Sequence, residues 1–198
     1  MIAVPASLAL AAAPLGPTAL VKSIDAEVQQ VIKTPDASAK KLAQRIDEVI
    51  DFNELSKRAM GTNWAKLSKK QQDELGTTMR GLLKASYENK AMKDKEGKQA
   101  PTVEYGEEKV DGNEAVVNTS LKVKPDTFAI VYKLYRADAK ANWRVYDVVT
   151  DEVSLVTTYQ DQFKKQLADK GIDGLLTTLN ARRESLEKQN AELSEKKN

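Results

Sequence analysis

Cysteine and histidine are both missing from this chain of 198 residues. Without cysteine there can be no disulfide, no thiolate chemistry and no lipid-modified cysteine anchor, and the redox compartment is left open. Without histidine, the commonest general base and the commonest metal ligand are gone. We therefore expect a protein that is not an enzyme and that uses no metal or cofactor.

The chain also lacks an excess of charge of either sign. It has 31 basic and 29 acidic residues, a formal net charge of +2, and the two signs are mixed along its length. Even the lysine-rich stretch 93–98 intersperses its lysines with Asp94 and Glu96. Nucleic-acid-binding proteins usually gather lysine and arginine on one face to neutralise phosphates. We expect no nucleic-acid partner.

The longest uncharged stretch, residues 2–20, is too interrupted for a membrane-spanning helix, because it contains three prolines. It is rich in alanine and leucine and offers small-residue pairs of the A-x-A kind. We interpret residues 1–20 as the remnant of an export signal peptide, with a disordered apolar leader of a cytoplasmic protein as the alternative. Residues 21–180 would form one domain, and residues 181–198 a charged C-terminal helical extension.

Hydrophobic periodicity divides the domain into three parts. Helical spacing begins at Val21, and further on Asp51 and the Ser68 to Gln71 capping box predict the starts of a short and a long helix. After Pro101 the period changes to two, and turn residues separate about four strands. Helical spacing returns at Val153 and predicts helices that cover the sheet. The order predicts an α+β fold, in which an antiparallel sheet of about four strands packs against N-terminal and C-terminal helices around an apolar pocket.

Motifs for catalysis are weak. Ser38 and Lys41 have the S-x-x-K spacing of serine acyl-enzymes, but the accompanying S-D-N and K-T-G elements are missing. Glu107 and Glu108 are adjacent in a predicted strand, so their carboxylates point to opposite faces. A hydrolase that uses Ser38 and Lys41 remains a third hypothesis, and it predicts ester turnover that Ser38→Ala abolishes.

Large apolar side chains recur on faces that the predicted fold would bring together. From the alternating and helical faces we predict a lipid-binding cavity, which composition alone does not distinguish from a filled core. Its predicted lining residues are Leu83, Tyr87, Tyr105, Val117, Phe128, Ile130, Tyr132, Val145, Leu155, Tyr159 and Phe163.

Ten segments, in their order and spacing, resemble the MlaC family, also described as the toluene-tolerance substrate-binding family. The likeness covers about Val21 to Leu179. The segments are Asp51-Phe52, Met60 to Trp64, Ser68 to Gln72, Leu82 to Tyr87, Tyr132 to Leu134, Trp143 to Val148, Ser154 to Val156, Tyr159, Phe163 and Gly171 to Leu175.

The resemblance implies a soluble periplasmic shuttle for phospholipid. Such a protein encloses acyl chains and exchanges lipid between an outer-membrane lipoprotein complex and the inner-membrane Mla ABC transporter complex. Removing acyl chains from water is worth about 0.8 kcal/mol per CH₂, so two ordinary chains represent a gross gain on the order of 20 kcal/mol. A carrier of this kind needs no catalytic group, which fits the missing histidine and cysteine.

The chain departs from the family pattern at two positions. Glu152 stands where the family usually has glycine, and Gln160 stands where it usually has arginine. The first change would affect the corner between strand and helix, and the second would affect contacts with the headgroup or a partner. The main alternative to a carrier is an interaction module, whose apolar faces are filled core and whose lysine-rich surface docks a protein partner.

Overall fold

The computed structural model of the chain describes residues 14–33, 44–93, 101–123 and 125–195. Helix α1 (Pro17–Lys33) comes first, and helix α2 is described over residues 44–49. Helix α3 (Phe52–Met60), a 3₁₀ helix (Gly61–Lys66) and helix α4 (Lys69–Lys93) follow. The predicted helix near Val21 therefore begins earlier, at Pro17, which suits the first turn because proline lacks the amide hydrogen that a helix leaves unpaired there.

The second half of the described chain begins with an antiparallel sheet. Its strands are β1 (Thr102–Asp111), β2 (Glu114–Val123), β3 (Asp126–Tyr135), β4 (Arg144–Thr150) and β5 (Val153–Ser154). They pair in sequence order, so the predicted meander is confirmed and gains a short fifth strand. Val153 was predicted to start a helix, but it pairs with Thr150, and the helix begins two residues later.

Helix α5 (Leu155–Glu195) is two arms joined at a kink. Gly171 has φ 64° and ψ −170°, a conformation that only glycine adopts without strain. The sequence predicts a charged helical extension over residues 181–198, and in the structure Asn190 of this extension is buried against α4. The charged extension is thus helical to residue 195, and its Asn190 packs against α4.

Side-chain caps start the helices as the sequence predicts. The Asp51 carboxylate accepts from the amides of Asn53 and Glu54 and so caps α3. Gln71 accepts from the Ser68 amide through its Oε1 while its own amide donates to Ser68 Oγ, which is the reciprocal pattern of a capping box. Gly61, with φ 53°, ends α3. Each cap is formed by residues close in sequence, which is why the sequence predicts it.

The register assigns the side chains of the sheet to two faces. Val117 lies opposite Tyr132, Thr119 opposite Ile130 and Leu121 opposite Phe128. We call the face that carries these six side chains the inner face. A bulge between Tyr105 and Glu108 keeps both of these β1 side chains on the inner face, where the Glu108 carboxylate accepts from the Thr18 amide at the start of α1.

The described apolar core is divided into two clusters. The helical cluster lies between α3, α4 and α5 and is centred on Leu75, Met79 and Leu175. The sheet cluster lies between α1 and the inner face and is centred on Val21, Val117 and Leu134. The architecture is the predicted α+β fold, with a helical layer and a sheet layer that each have their own core.

Candidate functional site

The inner face of the sheet is covered at one end and open at the other. Ala115, Val117, Leu134 and Val145 are each at most 2% exposed beneath α1. Further along the same strands the side chains become half-buried, and these are Leu121, Val123, Phe128, Ile130 and Tyr132. Large apolar side chains therefore stay accessible at the end of the face away from the buried cluster.

In the helical layer, too, side chains change from buried to exposed along α4. Leu83 is buried in the helical cluster, and Tyr159 and Phe163 of α5 are buried beside it with ring centroids 5.7 Å apart. Leu155 is half-buried at the edge of this cluster. One turn beyond Leu83, the Tyr87 side chain is 57% exposed. The face of α4 that carries both residues is thus buried at Leu83 and exposed at Tyr87.

The phenol of Tyr87 affects the pKa of one tyrosine in the sheet and of another in α5. Burial, then the Asp25 carboxylate and then Tyr87 raise the pKa of Tyr132 on the inner face. Burial and, less strongly, Tyr87 also raise the pKa of Tyr159 on α5, while the nearby Arg182 lowers it. We call the space between the exposed Tyr87 on α4 and the half-buried end of the inner face the gap.

Tyr105 borders the same face from the β1 side. Its hydroxyl donates to Asp25 Oδ2 of α1 at 2.8 Å, and Lys22 Nζ lies 4.9 Å from the centre of its ring. Burial, followed by the hydrogen bond to Asp25, raises the pKa of Tyr105 far above its usual range. This tyrosine is neutral at physiological pH and ties α1 to the open part of the inner face.

The structure divides the eleven predicted lipid-binding residues between the two layers. One group lies in or beside the sheet cluster, and the other lies on α4 and α5. The sheet group is Tyr105, Val117, Phe128, Ile130, Tyr132 and Val145, and the helical group is Leu83, Tyr87, Leu155, Tyr159 and Phe163. Five of them, Leu83, Val117, Val145, Tyr159 and Phe163, are buried in the two cores. Lipid contact by any of the eleven stays a prediction.

Two cavities lie away from this gap. One, of about 290 Å³, lies between Asp47, Gly76, Arg80 and Arg144. The other, of about 390 Å³, lies between Leu15, Leu20, Arg45 and Trp143. Neither is lined by any of the eleven predicted residues, and the first is mostly polar.

Sequence reasoning missed a network of charged side chains that joins the helices to β4. Arg144 donates to Asp51 Oδ2 at 2.9 Å, and the Tyr135 hydroxyl donates to the same carboxylate. The Asp51 amide donates to the Val145 carbonyl at 2.8 Å. Burial and, next, the hydrogen bond to Asp51 raise the pKa of Tyr135. The signal was present in the sequence, as charged residues inside the otherwise apolar run Arg144 to Val149.

A second anchor at β4 is Asp147, which is 1% exposed. Its Oδ1 accepts from the Val156 amide at 3.1 Å, and its Oδ2 accepts from Ser154 Oγ at 2.7 Å and lies 3.1 Å from Lys133 Nζ. The carboxylate therefore caps the start of α5 and holds it to the strand. Together the Asp51 and Asp147 contacts attach the helical layer to the sheet along β4.

The two departures from the family pattern lie at exposed positions. Glu152 has φ 69° and follows Asp151 with φ 46°, so the corner between β4 and β5 keeps a left-handed conformation without glycine. Asp151 supports it by accepting from the Ala129 amide. Gln160 is exposed on α5, and its Nε2 lies 3.7 Å from the position that a Cβ on Gly61 would take.

The other candidates do not form a site in the described part of the chain. Ser38 and Lys41 lie outside the described residues. Glu107 pairs with Lys109, whereas Glu108 faces α1, so the two carboxylates are separated as predicted. No helix within the described ranges is long and apolar enough to cross a membrane. Within the same ranges, no three acidic side chains are grouped in a way that could hold a metal ion.

Comparison with known proteins places this geometry in a family. The chain is similar to a solved structure of the phospholipid-binding protein from Ralstonia solanacearum, which is in complex with a phospholipid. The two share 25% identity and a TM-score of 0.71 over 85% of this chain and 97% of the other. The family model for the MlaC protein matches residues 18–181. This match covers most of the chain and all five strands, and the chain belongs to the MlaC family.

Proposed function

We propose that the chain binds phospholipid, with the acyl chains between the inner sheet face and helices α4 and α5. The observation that carries the proposal is the half-buried end of the inner face. There, Phe128 and Ile130 lie outside both closed cores, and Tyr132 packs against the edge of the sheet cluster while it stays half-buried. Apolar surface left uncovered in this way is stabilised by an apolar ligand.

The phospholipid bound by the similar protein from Ralstonia solanacearum supports this choice of ligand. The attachment of the helical layer along β4 supports it too, because the layers can separate at the Tyr87 side while the Asp51 and Asp147 contacts stay in place. The bound lipid is the ligand of a non-catalytic protein that needs no cofactor.

The finer role in the proposal is that of a periplasmic shuttle. It takes lipid from one membrane complex and delivers it to the other, the partners being an outer-membrane lipoprotein complex and an inner-membrane ABC transporter complex. A shuttle must release its cargo, and a gap bordered by two separately packed layers allows release without unfolding of either core.

Extraction of the purified chain with organic solvent, followed by mass spectrometry, tests the proposal. We expect co-purifying phospholipid, and we expect delipidated protein to take up phospholipid from vesicles. Protein that is always empty and refuses added phospholipid would contradict a carrier and agree with an interaction module that has a filled core.

The variant Phe128→Glu locates the site. A carboxylate on the open inner face would have to be desolvated beside the acyl chains, so we expect phospholipid retention at least about tenfold weaker. Thr127→Glu is the matched control, because Thr127 is the preceding residue, is exposed and lies opposite Lys122 on the other face. Equal retention by both variants, with circular dichroism unchanged, would place the lipid elsewhere.

A further inference from the structure

Helix α1 runs antiparallel to β1 along one side of the inner face. The Thr18 amide donates to Glu108 Oε2 at 2.8 Å, and further along the helix Gln29 Nε2 donates to the Pro101 carbonyl at 2.7 Å. Glu108 lies opposite the buried Val117, whereas Pro101 comes just before β1, at the half-buried end of the sheet. The helix therefore starts over the closed part of the inner face and continues beside the open part.

The apolar stripe of α1 becomes less packed along the same path. Val21 is buried in the sheet cluster, Ile24 is half-buried against that cluster, and Val28 is half-buried outside it. These residues are three and four apart, so they share one face of the helix. Apolar packing thus fixes the first turns of α1, and the part after Ile24 depends more on polar contacts.

Asp25 begins this second part of α1 and is held by Tyr105, whose hydroxyl donates to Asp25 Oδ2 at 2.8 Å. Tyr105 and Glu108 are three residues apart and would point to opposite faces of a regular strand, but the bulge between them puts both on the inner face. Both side chains hold α1 there. A hydrogen bond to a half-buried carboxylate keeps the helix in place and, unlike a packed core, breaks without unfolding of the domain.

We propose that the part of α1 from Asp25 to Gln29 is a flap that opens and closes the gap, and that the hydrogen bond between Tyr105 and Asp25 is its latch. Helix α1 packs on β1 and β2, next to the open side chains Phe128 and Ile130 of β3. Lifting of the flap widens the gap from the β1 side while the first turns of α1 stay packed in the sheet cluster. The inference rests on the proposed function and adds to it the route by which acyl chains enter and leave.

The kinetics of lipid exchange test the latch. Uptake of a phospholipid with a fluorescent headgroup from phosphatidylcholine vesicles, and its release to unlabelled vesicles, are each followed by stopped-flow fluorescence with the full-length protein. Tyr105→Phe keeps the ring and removes the hydroxyl, so the flap opens more often, and we expect both rate constants to rise about tenfold. A rise in the release rate alone would mark Tyr105 as a lipid contact and overturn the latch.

Glu104→Gln is the matched control. Glu104 precedes Tyr105, is exposed and pairs with Lys122 on the opposite face of the sheet, so the variant weakens a polar contact of the same strand away from α1. We expect exchange rates equal to those of the wild type. Unchanged rates in Tyr105→Phe, or an equal rise in Glu104→Gln, would overturn the inference.

A cross-link across the latch tests the flap in the opposite direction. Because the chain has no cysteine, the double variant Asp25→Cys with Tyr105→Cys can be bridged specifically by a short bis-maleimide. We expect exchange faster than in the wild type before bridging, and at least about tenfold slower than in the wild type after it. Exchange that bridging does not slow would show that the lipid passes elsewhere and would overturn the inference. Tyr105→Phe decides the question if the double variant does not fold.

Capture at equilibrium separates the flap from the proposed function. Delipidated wild type that takes up no phospholipid after prolonged incubation would contradict the proposed function and the flap together. Normal capture by the wild type, with unchanged kinetics in Tyr105→Phe and in the bridged protein, would overturn the flap alone.

Discussion

At the scale of single residues, the most constrained side chain is a charged one. Asp147 is 1% exposed, and its carboxylate has three polar partners. A buried carboxylate is tolerated only where donors and a counter-charge surround it, and here Val156, Ser154 and Lys133 supply them. Asp147 therefore joins a strand, a helix start and a surface lysine in one contact.

The variant Asp147→Ala removes all of these contacts at once. We expect the free energy of unfolding to fall by about 3 kcal/mol, because the cap is lost and Lys133 is left without its partner. Urea denaturation followed by circular dichroism measures the change. Asp73→Ala is the control, since its pair with Lys69 is exposed and should contribute less than about 0.5 kcal/mol. Similar losses in the two variants would show that burial of Asp147 adds nothing.

The strand register decides on which face of the sheet each predicted site residue lies, but it does not decide whether that residue is buried. In β2 and β3 the period of two placed Val117, Phe128, Ile130 and Tyr132 on one face, and the observed pairing agrees. The same pattern gave no sign that Val117 is closed beneath α1 while Phe128 is accessible. That difference depends on where α1 lies, which is a contact between distant segments.

At the scale of elements, the second arm of α5 is a brace along α4. Thr78 Oγ1 donates to Asn180 at 3.2 Å near its start, and Asn89 Nδ2 donates to Asn190 Oδ1 at 2.8 Å near its end. Asn190 Nδ2 also donates to the Ala85 carbonyl at 2.9 Å. Because Ala85 and Asn89 flank Tyr87, the brace holds the part of α4 that carries Tyr87.

The variant Asn190→Ala tests the brace. We expect a loss of about 2 kcal/mol, since the Asn89 amide would be left buried without its partner. We also expect faster amide hydrogen exchange near residues 85–89 and in the last turns of α5. Gln189→Ala, which changes an exposed neighbour, should alter neither. Exchange that stays unchanged around Ala85 in Asn190→Ala would contradict the brace.

At the scale of the whole molecule, the division of the core into two clusters is the central property. A chain of this length could bury one continuous core, but here the helical and sheet clusters are closed separately and meet along β4. A ligand that fills the space between them stabilises the folded state by mass action.

Loading with phospholipid should therefore raise thermal stability. At a free lipid concentration about 100 times the dissociation constant, we expect a gain of about 2.7 kcal/mol in the free energy of unfolding. Differential scanning calorimetry of loaded and delipidated protein measures it. Glycerol 3-phosphate, which has no acyl chain, is the control and should leave the transition unchanged. A rise with glycerol 3-phosphate equal to that with lipid would argue against binding of acyl chains between the layers.

What the sequence determined by itself was local or periodic. The caps at Asp51 and Ser68, the meander order of the strands and the alternation of the inner face depend on neighbouring residues or on a fixed period. The helix start at Pro17 and the strand at Val153 were misplaced because weak ends of elements are set by their partners.

Only the tertiary structure decided which apolar side chains fill a core and which border a gap. Phe163 and Phe128 look alike in sequence, but one is closed within the helical cluster and the other is half-buried on the sheet. The packing of Asn190 against Ala85 and Asn89 likewise depends on the kink at Gly171, after which the second arm of α5 runs along α4. Contacts of this kind join residues far apart in the chain, and no local pattern encodes them.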